Sequence, residues 1–236
     1  IGAILSEQRK YDQSIAHFKK MAAQNKAQAH VAWYYLGRVE MERKRDKAAE
    51  EAFRKATSLK PEFVEAVLAL GYLYETQKKN PQAVQVYQNY QDKFGPSAKV
   101  ASALGKLYMD KDQYLEAYKQ FEIIETDEPD NLNVKVKMAL ILIEQKKYDG
   151  AIVKLKNILS LAPDAEKVRF YLAAVYEEVK DYSDAIEQFG YITPKSTLYP
   201  EAIVHSAYLQ KLKGNVSGAS DLMAKALAAR PDVAQF

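Results

Sequence analysis

A small residue returns along this chain on a fixed period. Gly2, Gly37, Gly71, Gly105, Ala139, Ala173 and Ala207 are spaced by 35 residues once and by 34 five times. A second series keeps the period: Ser14, Ala49, Ala83, Ala117, Ala151, Ala185 and Ala219. Four residues behind it runs a series of mostly large side chains, Phe18, Phe53, Tyr87, Phe121, Leu155, Phe189 and Met223. Self-similarity of this length marks an array of stacked units, each burying its apolar face on its neighbours. The chain therefore reads as about seven copies of one unit. That overrides the one or two globular domains that 236 residues would otherwise suggest.

The third unit shows why each copy is a helical hairpin. Val67, Leu70, Gly71 and Tyr74 recur at helical spacing and define one amphipathic helix. Asn80-Pro81 reads as an N-cap followed by the first residue of a second helix, since Asn accepts from exposed N–H groups and Pro has none to lose. Ala83, Tyr87 and Tyr90 form the inner stripe of that helix, and Gly95-Pro96 ends it. Pro61, Pro129, Pro163 and Pro231 close the second helix in other units. The small residues lie where the paired helices cross, and the large ones fill the space beside them. With only 9 Gly and 8 Pro, the chain is expected to be almost entirely helix and tight turn.

These residues resemble the tetratricopeptide repeat family. Trp33, Leu36, Gly37, Ala49, Phe53, Ala56 and Pro61 match its pattern in the second unit, and Leu104, Gly105, Tyr108, Tyr114, Ala117, Phe121 and Pro129 match it in the fourth. The last unit is weakest: Ser206, Ala207 and Gln210 replace the Leu, Gly and Tyr types, while Gly214, Ala219 and Pro231 keep its frame. The resemblance covers essentially the whole chain. It implies an all-α, right-handed superhelical solenoid of antiparallel helix pairs, with first helices lining a concave groove and second helices outside. The expected organisation is a single solenoid domain over 1–236, with repeats at approximately 1–28 (partial), 30–63, 64–97, 98–131, 132–165, 166–199 and 200–233. Ile1 falls inside the first helix of a unit, so that helix is read as cut roughly in half. The end, just after Pro231, reads as a segment of a longer protein or a truncated last helix.

Chemistry is sparse. The net charge is +3, from 34 basic and 31 acidic residues, too balanced for the basic stripes of a nucleic-acid binder. There is no Cys, hence no disulfide, thiolate or Cys-ligated zinc. No apolar run approaches the roughly 18–20 residues that span a bilayer. His17, His30 and His205 lack partners at metal-ligand spacing and read as ordinary histidines. No phosphate-binding loop or nucleophile elbow occurs. Glu177-Glu178 reads as helix surface charge, and Arg43-Lys44-Arg45 as a solvated turn whose field Glu40, Glu42 and Asp46 largely cancel. Most of the 17 tyrosines occupy core slots, as Tyr74, Tyr87, Tyr108, Tyr114, Tyr148, Tyr176 and Tyr182 do. The expectation is a protein without catalytic, cofactor or metal residues, and not an enzyme.

Function is expected at positions the repeat does not need. Three before and one after the small slot on each first helix stand Tyr34 and Arg38, Leu68 and Tyr72, Ser102 and Lys106, Val136 and Leu140, Phe170 and Ala174, and Val204 and Tyr208. In the family's geometry these face the groove, as an apolar and aromatic strip with two cations; some, Leu68, Val136 and Leu140 among them, can instead pack on the adjacent hairpin. A family-type carboxylate clamp needs Lys, Asn and Arg at these slots in three successive units, and Arg38 and Lys106 stand isolated. The asparagine ladder is absent too: that slot holds Tyr35, Ala69, Ala103, Lys137, Tyr171 and His205. The expected partner is a protein, through a peptide or amphipathic segment, with no nucleic acid. Self-association through the array ends, or a docking role in a larger enzyme or secretion complex, are the competing expectations. Compartment stays open: the composition suits the cytoplasm, and suits a periplasmic or anchored protein if a targeting segment was removed.

Overall fold

The computed structural model describes residues 1–233. Among them are fourteen α-helices, one 3-10 turn at Lys26–Gln28 and no strand. They pair in chain order: α1 (Gly2–Glu7) with α2 (Tyr11–Gln24), α3 (Ala29–Glu42) with α4 (Asp46–Leu59), α5 (Val64–Thr76) with α6 (Asn80–Phe94), and α7 (Ala98–Met109) with α8 (Tyr114–Asp127). Then come α9 (Leu132–Glu144) with α10 (Tyr148–Leu161), α11 (Glu166–Glu178) with α12 (Tyr182–Gly190), and α13 (Tyr199–Leu212) with α14 (Val216–Ala229). Contacts gather into two compact units, Ile1–Asp127 holding α1–α8 and a second beginning at Glu128 and holding α9–α14.

The period of the sequence is a period of packing. A Cβ at Gly37 would lie 2.6 Å from the Phe53 ring, at Gly105 2.7 Å from Phe121, and at Gly2 2.4 Å from Phe18. The glycine slot of these first helices is thus the floor on which the large residue of the second helix lies. Phe53, Phe121, Leu155 and Phe189 are at most 1% exposed, each burial stabilising by roughly 1.5–3 kcal/mol. Where Ser14 replaces the usual alanine, its buried hydroxyl donates to the Gly2 carbonyl at 2.8 Å, so the polar atom is satisfied.

Successive hairpins are joined by a recurring tyrosine. The Tyr74 hydroxyl on α5 donates to Glu50 Oε1 on α4 at 2.7 Å and accepts from Arg54 Nη2 at 2.7 Å. Accepting that bond holds Glu50 below the usual carboxylate range, while burial pushes Tyr74 up. One repeat later Gln88 donates to the Tyr108 hydroxyl at 2.7 Å, and in the second unit Lys156 lies 5.5 Å from the Tyr176 ring. Glu40 holds the same slot on α3. It is 7% exposed, and its Oε2 has no hydrogen-bond partner among the described residues.

The turns within hairpins also repeat. Arg9, Lys44, Lys78, Asp112, Lys146 and Lys180 all have φ between 56° and 65°, and Gly214 takes the same place at 82°. Each is followed by an N–H that reaches back five residues, as Lys79 to the Tyr74 carbonyl at 2.8 Å, which closes a Schellman motif. Asn80 is not the cap its sequence suggests: Lys79 holds the N-cap without a side-chain bond, and Asn80-Pro81 form the first turn of α6. Proline is still accommodated there, because the first-turn N–H groups lack helical partners. Tyr74, Tyr87, Tyr108 and Tyr176 are buried, whereas Tyr114, Tyr148 and Tyr182, which open second helices, are half-buried. α12 is short, stopping at Gly190. Ile192 beyond it is 3% exposed, and Glu166 Oε1 accepts from the Thr193 N–H at 2.9 Å and hydroxyl at 2.8 Å.

Candidate functional site

In the first unit, α3, α5 and α7 lie side by side, and the candidate positions are exposed to different degrees. Arg38, Tyr72, Ser102 and Lys106 are exposed; Tyr34 and Leu68 are half-buried. Tyr72 is 52% exposed on a helix whose Ala66, Val67, Leu70, Leu73 and Tyr74 are all buried. Tyr34 is held more firmly. Its ring meets Phe63 edge-on at 5.4 Å and Tyr35 at 5.1 Å, with the Arg38 guanidinium 6.0 Å from its centroid. Lys106 lies 3.7 Å from Glu75 Oε2, while Glu75 Oε1 accepts from the Tyr87 hydroxyl at 2.9 Å.

A cavity of about 320 Å³ opens beside Arg38, lined also by Ala3, Ser6, Phe18, Tyr35 and Glu42. Phe18 and Tyr35 stack there at 5.4 Å, and Ser6 donates to Glu42 at 2.6 Å. Sequence reasoning missed Tyr35 as a lining residue. The available signal was its place in the slot where the asparagine ladder would stand. A larger recess of about 650 Å³ lies at the other end of the helices, among Val64, Tyr90, Ser97, Lys99, Ile123 and Asp127.

In the second unit, Val204 and Tyr208 are exposed at 41% and 55%, and Leu140 is half-buried. Val136 and Phe170 pack against the core; the Phe170 ring meets Phe189 at 5.4 Å and His205 at 6.2 Å. His205 Nδ1 lies 2.8 Å from Glu177 Oε2, so this histidine does have a carboxylate, supplied by the preceding first helix rather than by its own. No cluster of three metal-ligating groups occurs among the described residues.

Tetratricopeptide repeat family models match residues 2–62, 47–98 and 142–196. The chain belongs to the tetratricopeptide repeat family. Solved tetratricopeptide repeat structures agree with that fold. YrrB, described as a TPR protein with an unusual peptide-binding site, superposes with a TM-score of 0.62 at 20% identity, covering 79% of this chain and 96% of that one. Pseudomonas aeruginosa PilF gives 0.55 at 19%, covering 89% and 95%. MamA gives 0.59 at 17%, covering 71% and 98%. No curated protein matches the sequence. For this tetratricopeptide repeat chain, such distant likenesses establish architecture, and the side chains on its first helices carry any argument about function. No helix among the described residues is long and apolar enough to cross a membrane.

Proposed function

We propose that this chain is a non-catalytic adaptor that holds an apolar or amphipathic segment of a partner protein on the exposed side chains of its first helices. The tetratricopeptide fold supports a protein-interaction scaffold in general. The observation that carries the finer reading is Tyr72, an exposed aromatic between the buried Gly71 and Leu73, with the cations Arg38 and Lys106 at the same slot of the neighbouring repeats. Exposed tyrosines flanked by positive charge are favoured anchors for a partner with an apolar side chain and an acidic flank. YrrB, of the same architecture, is described as having a peptide-binding site, which lends the reading a precedent.

The test is selection from a displayed peptide library on the wild type, followed by affinity measurement on Tyr72→Glu. Loss of about 30-fold or more, equivalent to about 2 kcal/mol, is expected with an unchanged melting temperature. Selected peptides that bind the variant equally well would sink the proposal. Tyr34→Glu is a poorer probe, because the ring packs on Phe63 and its loss would be read as instability.

Self-association is a second reading, favoured by apolar side chains exposed on the first and last described helices: Ile4 at 56%, Val216 at 60% and Leu227 at 45%. Light scattering across a concentration series would show a rising mass if it holds and a constant one if it does not.

A further inference from the structure

We propose that the turns between α1 and α2, α3 and α4, and α5 and α6 form a basic ridge that docks an extended, acidic protein segment. This edge is separate from the exposed side chains of the first helices, and its local choices work against the fold. Arg9, Lys44 and Lys78 sit at φ 59°, 58° and 58°, in the left-handed region that disfavours any side chain and that Gly214 occupies in the last hairpin. The residue after each one, Lys10, Arg45 and Lys79, holds the N-cap of the following helix with no side-chain capping bond. Ser, Thr, Asp and Asn are preferred there, and the helix dipole opposes a cation.

The same turn readily takes a proper cap. Asp181 and Asn215 accept from the N–H groups of Asp184 at 3.4 Å and Gly218 at 3.0 Å in the second unit. The dipole of each first helix favours a cation at the left-handed residue just past its end. That does not account for the second cation, which faces the positive end of the next helix. The pair recurs singly at Lys146 and Lys147 between α9 and α10, but only the first three hairpins carry it in consecutive turns, and such a run against both backbone and capping preference marks a place where local stability yields to another demand.

The side chains of those six cations, Arg9, Lys10, Lys44, Arg45, Lys78 and Lys79, are exposed and enter no hydrogen bond or ion pair among the described residues. Nearby acids screen them less than the sequence suggests. Glu40 is buried and Asp12 is engaged by Arg43 at 2.8 Å, which leaves Glu7, Glu42, Asp46 and, beside Lys79, Glu50.

The turn tips decide the kind of partner. Gln8–Lys10, Arg43–Arg45 and Gln77–Lys79 contain neither an aromatic ring for stacking bases nor an apolar side chain for wedging into lipid. Neighbouring first helices pack at roughly 8–10 Å, which about three residues of an extended chain span. A flexible segment with a carboxylate at every third residue therefore meets successive cation pairs in register.

The probe is a labelled peptide with Glu at every third position among Gly and Ser, titrated by fluorescence anisotropy against the whole chain. Wild type is expected to bind it, more weakly as salt rises. The variant Arg9→Gly/Lys44→Gly/Lys78→Gly is expected to melt higher than wild type, because strain is relieved, and to bind about tenfold or more weakly. Lys10→Asn/Arg45→Asn/Lys79→Asn should behave alike through gained caps. A control that removes three cations elsewhere, Lys19→Gln/Lys26→Gln/Lys119→Gln, should keep the affinity. The proposal is overturned if the control loses as much as the ridge variants, if the glycine variant melts lower, or if wild type shows no binding to the peptide. Tighter binding to single-stranded nucleic acid or to phosphatidylcholine–phosphatidylserine vesicles than to the peptide would also overturn it.

Discussion

A methyl group at Gly71 would sit 2.2 Å from Cζ of Tyr87, closer than any real contact. The ring cannot slide away cheaply, because its hydroxyl donates to Glu75 at 2.9 Å and lies 3.4 Å from the Leu68 carbonyl oxygen. The fifth repeat shows the alternative solution. There Ala139 faces a hairpin partner with Leu155 at the large slot, and both are fully buried. Slot sizes are therefore paired quantities, and changing one without the other overpacks the crossing. Gly71→Ala alone is expected to destabilise by about 1–3 kcal/mol. Gly71→Ala/Tyr87→Leu is expected to recover part of that loss, although Leu alone would leave a gap. Thermal melts of the two single variants and the double variant check this; strict additivity would mean that the two slots do not interact.

The same residue links the stability of this helix pair to pH. Burial, reinforced by the Glu75 carboxylate, raises the Tyr87 hydroxyl above the usual tyrosine range. A group whose folded value is raised stabilises the fold fully below its unfolded value, about 10 for tyrosine, and that contribution drains away as pH climbs past it. The hairpin of α5 and α6 is therefore expected to loosen in alkali. Tyr87→Phe should flatten that loss, since Phe fills the slot in the α3–α4 and α7–α8 hairpins. Melting temperature followed from about pH 8 to 11 is the measurement. An identical alkaline decline in the variant would place its cause elsewhere. At neutral pH, Glu75 keeps Lys106 at 3.7 Å as a partner, so the penalty for losing the hydroxyl is small.

Over the whole chain, stability in a repeat array is a sum of unit and nearest-neighbour terms, so damage stays near its source. Leu155 is fully buried in the second unit. Leu155→Ala is expected to cost about 2–5 kcal/mol there. In hydrogen exchange, amide protection should fall from 128 to 233 while 1–127 keeps most of its own. A uniform loss over both ranges would show that the chain opens as one cooperative body.

The 34-residue period was enough to read the helix pairs and the floor-and-ring packing of Gly37 under Phe53. That much is legible because each hairpin is stabilised by near neighbours in sequence, and every copy writes the same demand at the same slot. Exposure was not legible in this way. Tyr34 and Tyr72 occupy groove slots that the sequence treats as equals, yet Phe63 covers one and nothing comparable covers the other. Phe170 is drawn against Phe189 and His205, and Glu40, read from sequence as an acid offsetting the Arg43-Lys44-Arg45 turn, is buried. The left-handed turns left no glycine signal in the first six hairpins, because cations and one aspartate stand there. Periodicity specifies which helices form and which faces they bury. Which of the remaining side chains meets solvent depends on residues contributed by the next turn or hairpin, and only folding brings those together.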